Sequence, residues 1–303
     1  MSELEAGLQA WRQMSNHNDM IERQRGADHD DPERNGTVEI AYFGSSAFRI
    51  TTPQGLTLMI DPWRNYPSRR WDWYFRDFPC VPVDIGVSSH AHFDHDALNR
   101  LDAHVLLDRL IGTYAFSDLR MTGIAEKHAT DSSQAMYDFR RIIQAFGGID
   151  IRPPNNPRSW DHCLLLIETG GLRILHWGDN RHNPDSAVWE RLGHVDILLL
   201  PVDQSQHVLA YDMLNEVIEK LKPHVVIPHH YYIWDLTVRS STLLPADEWV
   251  NSVSHCRLDG PIARFESSSV RRLDREVYFF GDHVAFDKDK WRAGEYEATN
   301  LNP

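Results

Sequence analysis

Cysteine is scarce in this chain, and both a basic excess and a long apolar run are missing from it. The three cysteines, Cys80, Cys163 and Cys256, are scattered and odd in number, with no CxxC pair. A disulfide framework and a cysteine-ligated zinc site are therefore not expected. Lysine and arginine total 31 against 44 aspartates and glutamates, a formal net charge of −13. An acidic surface of this kind disfavours non-specific binding to nucleic acid or to anionic membranes. No apolar stretch approaches the length needed to cross a bilayer. The start, Met1 to Glu5, is acidic and has no apolar core of a signal peptide. The expectation is a cytoplasmic protein with neither a nucleic-acid nor a membrane partner. With 303 residues, 42% hydrophobic and 25% charged, the chain has the composition of a globular protein with one large core or two modest ones.

What the chain has in abundance is histidine, concentrated in Ser89-His90-Ala91-His92-Phe93-Asp94-His95. His90, His92 and Asp94 recur at every second residue, so an extended backbone points all three to one side. Val83 to Ser88 reads as an apolar strand delivering them, and Asp96 to Leu101 reads as a helix start. Imidazole and carboxylate at this density form a donor set for a divalent transition metal.

In chain order, residues 3–24 carry a helical stripe (Leu4, Leu8, Trp11, Met14), followed by linker chemistry to Gly36. This appendage, residues 1–36, either packs back on the domain or mediates subunit contacts in a homo-oligomer; packing back is preferred. From Thr37 an antiparallel meander runs through Ala47–Thr51 and Leu56–Ile60 and ends at Asp61. That carboxylate either reaches a ligand histidine from behind or only terminates the strand; the pattern leaves both open. Residues 63–80 have no period and mix arginines with aromatics, as in lids over sites. Most of the aromatics are expected to pack. Arg64, Arg69, Arg70 and Trp71 are the candidates for contact with an anionic or sugar-like substrate.

Beyond Val105–Leu107, residues 109–119 read as helix-like, and Thr122–His128 as a short extended run ending in histidine. Asp131 caps an amphipathic helix running to Phe146. His162–Glu168 and Leu172–His176 form a hairpin that leads into Gly178-Asp179. A short helix covers 184–192. The strand Val195–Pro201, the helix Tyr211–Leu221 and the strand Val225–Pro228 suggest a βαβ crossover ending at His229-His230. A weaker strand lies at 276–280, and residues 286–303 read as a polar mobile tail.

The run His-Ala-His-Phe-Asp-His resembles the HxHxDH signature of the metallo-β-lactamase superfamily. Gly178-Asp179 after a strand looks like that family's bridging carboxylate. The segments Gly170–Asp179 and Ile227–Trp234 resemble the subgroup containing L-ascorbate-6-phosphate lactonase. The resemblance spans roughly residues 37–285 and implies an α/β fold, a four-layer αββα sandwich, as a single hydrolase domain over that span. It implies two divalent metal ions, zinc first, with manganese or iron as alternatives. His90 and His92 would hold the first and Asp94 and His95 the second. Asp179 would bridge them, and His230 would complete the second set. The remaining ligand of the first set would be His128, with His162 as its rival. His176 would support the site or the core. The implied activity is a metal-dependent hydrolase in which a metal-bound hydroxide opens a lactone or cleaves an ester of a small polar substrate, phosphorylated or not. In that scheme Asp94 orients the nucleophile, and Tyr231 or His229 could serve the leaving group, although loop packing is the preferred reading for both. The alternatives are a phosphodiesterase, including phospholipase-D-like action, and a non-catalytic metal-binding interaction protein.

Overall fold

The computed structural model describes residues 35–65, 72–129, 162–205, 208–239 and 241–297. The expected N-terminal helix, the helix from Asp131 to Phe146, and Arg69, Arg70 and Trp71 lie outside the described residues.

Strands dominate because alternating or continuous Val, Ile, Leu and Phe runs are cut by turn residues. In chain order they are β1 (Thr37–Tyr42), β2 (Phe48–Thr51), β3 (Thr57–Ile60), β4 (Val81–Ser88), β5 (Leu101–Asp108), β6 (Gly112–Phe116), β7 (Leu119–Glu126), β8 (His162–Thr169), β9 (Leu172–His176), β10 (Ile197–Pro201), β11 (Val225–His229), β12 (His255–Arg257), β13 (Ile262–Glu266) and β14 (Glu276–Phe279). The described helices are α1 (Ser186–Leu192), α2 (Tyr211–Leu221), α3 (Asp247–Ser252), α4 (Ser267–Val270) and α5 (Lys288–Ala293).

Among the described residues these strands make two sheets, ordered β13-β1-β2-β3-β4-β5 and β12-β14-β11-β10-β9-β8-β7-β6. The expected meander is present: β1, β2 and β3 pair antiparallel, with Ile40 opposite Ile50 and Ile50 opposite Leu58. The expected hairpin is β8–β9, with Leu166 opposite Leu175. The expected crossover is β10-α2-β11, whose strands pair parallel with Leu199 opposite Ile227. One buried face of α2, formed by Met213, Leu214, Val217, Ile218 and Leu221, supplies the apolar stripe such a crossover must cover. The sheets meet through Phe48 on β2, whose ring lies edge-on to His176 and His229 at 6.1 and 5.7 Å. The result is an α/β sandwich of two mixed sheets with helices outside it.

The parallel pairings decide where a site can form. β3 and β4 run parallel, as do β9, β10 and β11. β7 shares their direction through its antiparallel neighbour β8. The carboxyl ends of these strands gather on one rim, the usual place for a site in layered α/β proteins.

Three expectations differ. Residues 109–119 contain β6, paired antiparallel with β7, and not a helix. Thr113, Tyr114 and Phe116 favour a pleated surface, and left-handed turns at Arg109 (φ 52°) and Ser117 (φ 52°) bracket the strand. The helix start at Asp96 is a single tight turn, Leu98–Arg100, before the chain enters β5. The segment expected as a polar tail includes α5. Its Trp291 is buried against Trp63 at 5.8 Å, with its indole N–H donated to the Asp77 carbonyl at 2.8 Å. Asp287 caps this helix through the Asp289 and Lys290 amides.

Docking of α5 should therefore be a stability determinant. Trp291→Ala is expected to cost about 3–5 kcal/mol in denaturant unfolding; an unchanged midpoint would show that the helix contributes nothing to the fold.

Candidate metal centre

The run Ser89–His95 leaves the end of β4 and turns back within six residues, His95 N–H bonding the His92 carbonyl at 2.9 Å. The remaining histidines and acids arrive from the ends of β7 (His128), β9 (Asp179) and β11 (His230). Two candidate ligand sets result: His90, His92 and His128, and Asp94, His95, Asp179 and His230. Within each set one ligand atom per residue lies within 4.8 Å of all the others. Asp179 Oδ2 connects the sets. It sits 4.0 Å from His90 Nε2 and 3.4 Å from His128 Nε2 on one side, and 3.3 Å from His95 Nε2 and 3.5 Å from His230 Nε2 on the other.

The backbone is specialised to bring Asp179 there. Gly178 adopts φ +54°, and a Cβ on it would meet His162 Nε2 at 2.6 Å and Ser89 Oγ at 3.1 Å, so only glycine fits this turn. The Asp179 carbonyl accepts the Ala129 amide, and the Arg181 amide reaches the Lys127 carbonyl. These bonds lock the ends of β7 and β9 together at the His128–Asn180 bridge. His230 and Asp61 also hold left-handed backbones, φ 58° and 48°. Such conformations in non-glycine residues are costly and concentrate at functional sites.

Carboxylates and a hydroxyl fix the imidazoles from behind. Asp61 Oδ2 lies 2.8 Å from His95 Nδ1, which answers the question the sequence left open for Asp61. Ser89 donates its hydroxyl to the same oxygen at 2.6 Å, and its Oγ therefore accepts from His90 Nδ1 at 3.0 Å. Each bond keeps a proton on Nδ1 and turns Nε2 inward. Asp203 does the same for His230, with Oδ1 at 3.3 Å from Nδ1, and is itself buried and bonded to the Leu244 amide. The sequence reading missed Asp203 and Ser89. The available signal for Asp203 was its place just past the apolar strand β10, as Asp61 stands just past β3.

The charges are those of a site built for a cation. Against the penalty of full burial, His230 and His95 hold the Asp179 carboxyl well below the ordinary range, and His95 and His230 do the same for Asp94. Against its own desolvation, His95 is raised to about 10 by Asp179, Asp94 and Asp61. Desolvation and neighbouring imidazoles push His90 well down, and take His92 to about 3. His90 Nε2, His95 Nε2 and both Asp179 oxygens are buried with no hydrogen-bond partner among the described residues. Buried nitrogens and carboxylate oxygens converging in this way fit a divalent ion that takes the place of the His95 and His230 protons, and the nitrogen–oxygen set without thiolate suits zinc, manganese or iron.

His162, the rival to His128, is placed differently. Its Nε2 accepts the Asp179 amide at 3.1 Å, so it buttresses the turn and is in neither ligand set. His176 bonds the Ser46 carbonyl through Nε2 at 3.0 Å and backs Asp61 at 3.9 Å. Tyr231 and His229, for which packing was the preferred reading over a leaving-group role, are turned into the core. Tyr231 spends its hydroxyl on the Gly281 carbonyl at 2.8 Å, and His229 stacks on His176 with Nδ1 at 3.1 Å from Ser46 Oγ. Their neighbours are Tyr42, Phe279 and Phe48, because the odd positions of this segment face the sandwich interior. Arg64, one of the candidates for substrate contact, is held by both oxygens of Asp96 at 2.8 and 3.0 Å. Of the described aromatics around it, Trp63 stacks on Tyr74 at 4.1 Å and Trp73 lies edge-on to Phe93 at 5.0 Å, whereas Phe75 is exposed.

Comparison with known proteins agrees with this geometry. The model of the Beta-lactamase superfamily domain matches residues 39–230, a span that contains both ligand sets. A UPF0173 metal-dependent hydrolase of Thermodesulfovibrio yellowstonii is 35% identical over 214 residues, covering 65% of this chain and 79% of that protein. One from Polynucleobacter asymbioticus is 24% identical over 218 residues, covering 65% of this chain and 75% of that protein. Among solved structures, a Thermotoga maritima protein of the metallo-β-lactamase superfamily shares the fold, with a TM-score of 0.53 at 20% identity over 80% of this chain and 98% of that one. With the family match and the ligand-bearing rim on the same residues, the chain belongs to the metallo-β-lactamase superfamily.

Proposed function

We propose that the chain is a metal-dependent hydrolase acting on a lactone or carboxylic ester of a small polar molecule. The observation that carries this reading is the Asp179 oxygen set among four imidazole nitrogens at 3.3–4.0 Å, which divides seven side chains into two ligand sets around one carboxylate. His90, His92 and His128 would hold one ion, and Asp94, His95 and His230 the other, with Asp179 shared. Bound there, divalent metal supplies Lewis acidity and lowers the pKa of water toward neutrality.

The rest is the work of the chain's own residues. Asp94 remains a carboxylate despite burial, with Oδ2 at 3.3 Å from His230 Nε2 and 3.5 Å from His95 Nε2. It is thereby able to accept a hydrogen bond from an attacking water and aim it. Asp61, Ser89 and Asp203 hold the rings in place, so no reorganisation is needed when charge develops. His92, the partly exposed member, marks the open side. The arginines flanking the site among the described residues are neutralised, Arg64 by Asp96 and Arg181 by the buried Glu126. A site carrying this many carboxylates, with its flanking cations already paired, favours a neutral carbonyl centre over a phosphodiester.

A panel of chromogenic lactones, carboxylic esters and phosphodiesters, assayed with zinc and with manganese, tests the reading. Lactone or ester turnover is expected from the wild type and is expected to vanish in Asp179→Asn and His92→Ala, with circular dichroism unchanged. Turnover of phosphodiesters alone would sink the substrate assignment, and wild-type rates in both variants would sink the site. Asp203→Ala is expected to lower metal affinity about 10–100-fold by releasing the His230 ring; equal affinity in competition with a chelator would remove Asp203 from the site. Because His95 and His230 are raised, both are protonated near neutral pH without metal, and ligation requires both rings neutral. Metal loading should then release about two protons, and apparent affinity should climb with pH toward the His95 value of about 10. Calorimetry in buffers of different ionisation enthalpy measures this, and a buffer-independent heat would contradict it.

A further inference from the structure

A second group of donors lies at the opposite end of the same strands. His194 and Asp196 precede β10, and His224 precedes β11, roughly 15 Å along the strands from the rim that carries Asp203 and His230. One ligand atom from each of the three lies within 4.8 Å of the others. We propose that His194, Asp196 and His224 bind one divalent transition-metal ion, separate from the hydrolase centre and independent of the function assigned to it.

The donors are built in. The Asp196 side chain is fully buried, and a carboxylate there requires compensation. Its Oδ2 accepts the Arg173 amide at 2.8 Å, which leaves Oδ1 facing His194 Nε2 at 3.1 Å. His224 Nδ1 lies 2.8 Å from the Leu273 carbonyl. A carbonyl only accepts, so Nδ1 carries the proton and the lone pair of the neutral ring is on Nε2. This is the arrangement that orients ligating histidines in metal sites. The backbones are pinned as well: the His224 and Val225 amides both reach the Asp196 carbonyl at 3.0 Å, the Glu276 amide reaches the His224 carbonyl at 3.0 Å, and Arg173 Nε holds the His194 carbonyl at 2.8 Å. The His194 ring, 52% exposed, leaves a route from solvent. Two imidazoles and a carboxylate, with a position left for water, suit zinc, cobalt, nickel or copper and not magnesium or calcium. The competing occupant is Arg271, whose Nε stands 3.6 Å from Asp196 Oδ1, but its side chain is 56% exposed and its guanidinium also bonds the Gly171 carbonyl. A bound ion would tie together the starts of β9, β10 and β11, whose far ends carry Asp179, Asp203 and His230, and would stabilise the fold by mass action.

Equilibrium dialysis of the full chain against zinc, with zinc per chain read by mass spectrometry, tests this. His194→Ala and His224→Gln are each expected to retain about one zinc fewer than the wild type and to lose part of the zinc-induced rise in Tm. The exposed His194 ring carries the test if His224→Gln folds poorly. Arg271→Ala is expected to keep the ion, since the guanidinium is not a ligand. Equal zinc content in the wild type and both histidine variants would overturn the proposal. So would loss of the same ion in Arg271→Ala, which would assign the effect to disturbance of Asp196.

Discussion

The structure of the rim depends on one buried charge, the carboxylate of Asp179. An unpaired carboxylate in this environment would be strongly destabilising, so the surrounding chain has to supply positive charge or a metal. His95 and His230 supply it in the metal-free molecule, and their raised protonation is the other side of the depressed acidity of Asp179 and Asp94. The same geometry serves a divalent ion, which replaces two protons with two positive charges. Placing that carboxylate requires a turn only glycine can make at Gly178, with His162 and Ser89 closing over the space a side chain would take.

The two sheets contribute to the site in matching ways. The first supplies Asp61 from the end of β3 to hold His95, and the second supplies Asp203 from beyond β10 to hold His230. Each carboxylate follows an apolar strand and is fully buried. Beneath them, the stacked rings of His176 and His229 fill the seam between the sheets, bonded to the Ser46 carbonyl and hydroxyl respectively. Several histidines of this chain are therefore packing and buttressing groups, and being histidine near the rim does not by itself make a residue a ligand. His162 illustrates the point: its Nε2 is used on the Asp179 amide.

Regular alternation and apolar runs made the meander, the hairpin and the crossover legible in the sequence, because period and turn chemistry are local properties. The ligand run was legible for the same reason: donors two residues apart are a local pattern. Local reading failed at residues 109–119, where strand formation depends on the neighbour β7, and at Lys288–Ala293, where a polar segment docks through the single side chain of Trp291. Nor does anything in the sequence show that Asp96 will take the Nε–Nη2 edge of the Arg64 guanidinium.

By itself the sequence determined the type of fold and supplied most of the candidate donors, because these follow from hydrophobic period and from the chemistry of imidazole and carboxylate. Only the tertiary structure decided which histidine of the pair His128 and His162 faces the Asp179 carboxylate and which its backbone amide, which acids stand behind the candidate ligands, and which side chains are spent on the core. Those outcomes depend on strand ends far apart in the chain meeting at distances of 3–4 Å, and no local pattern encodes the direction in which a ring will point.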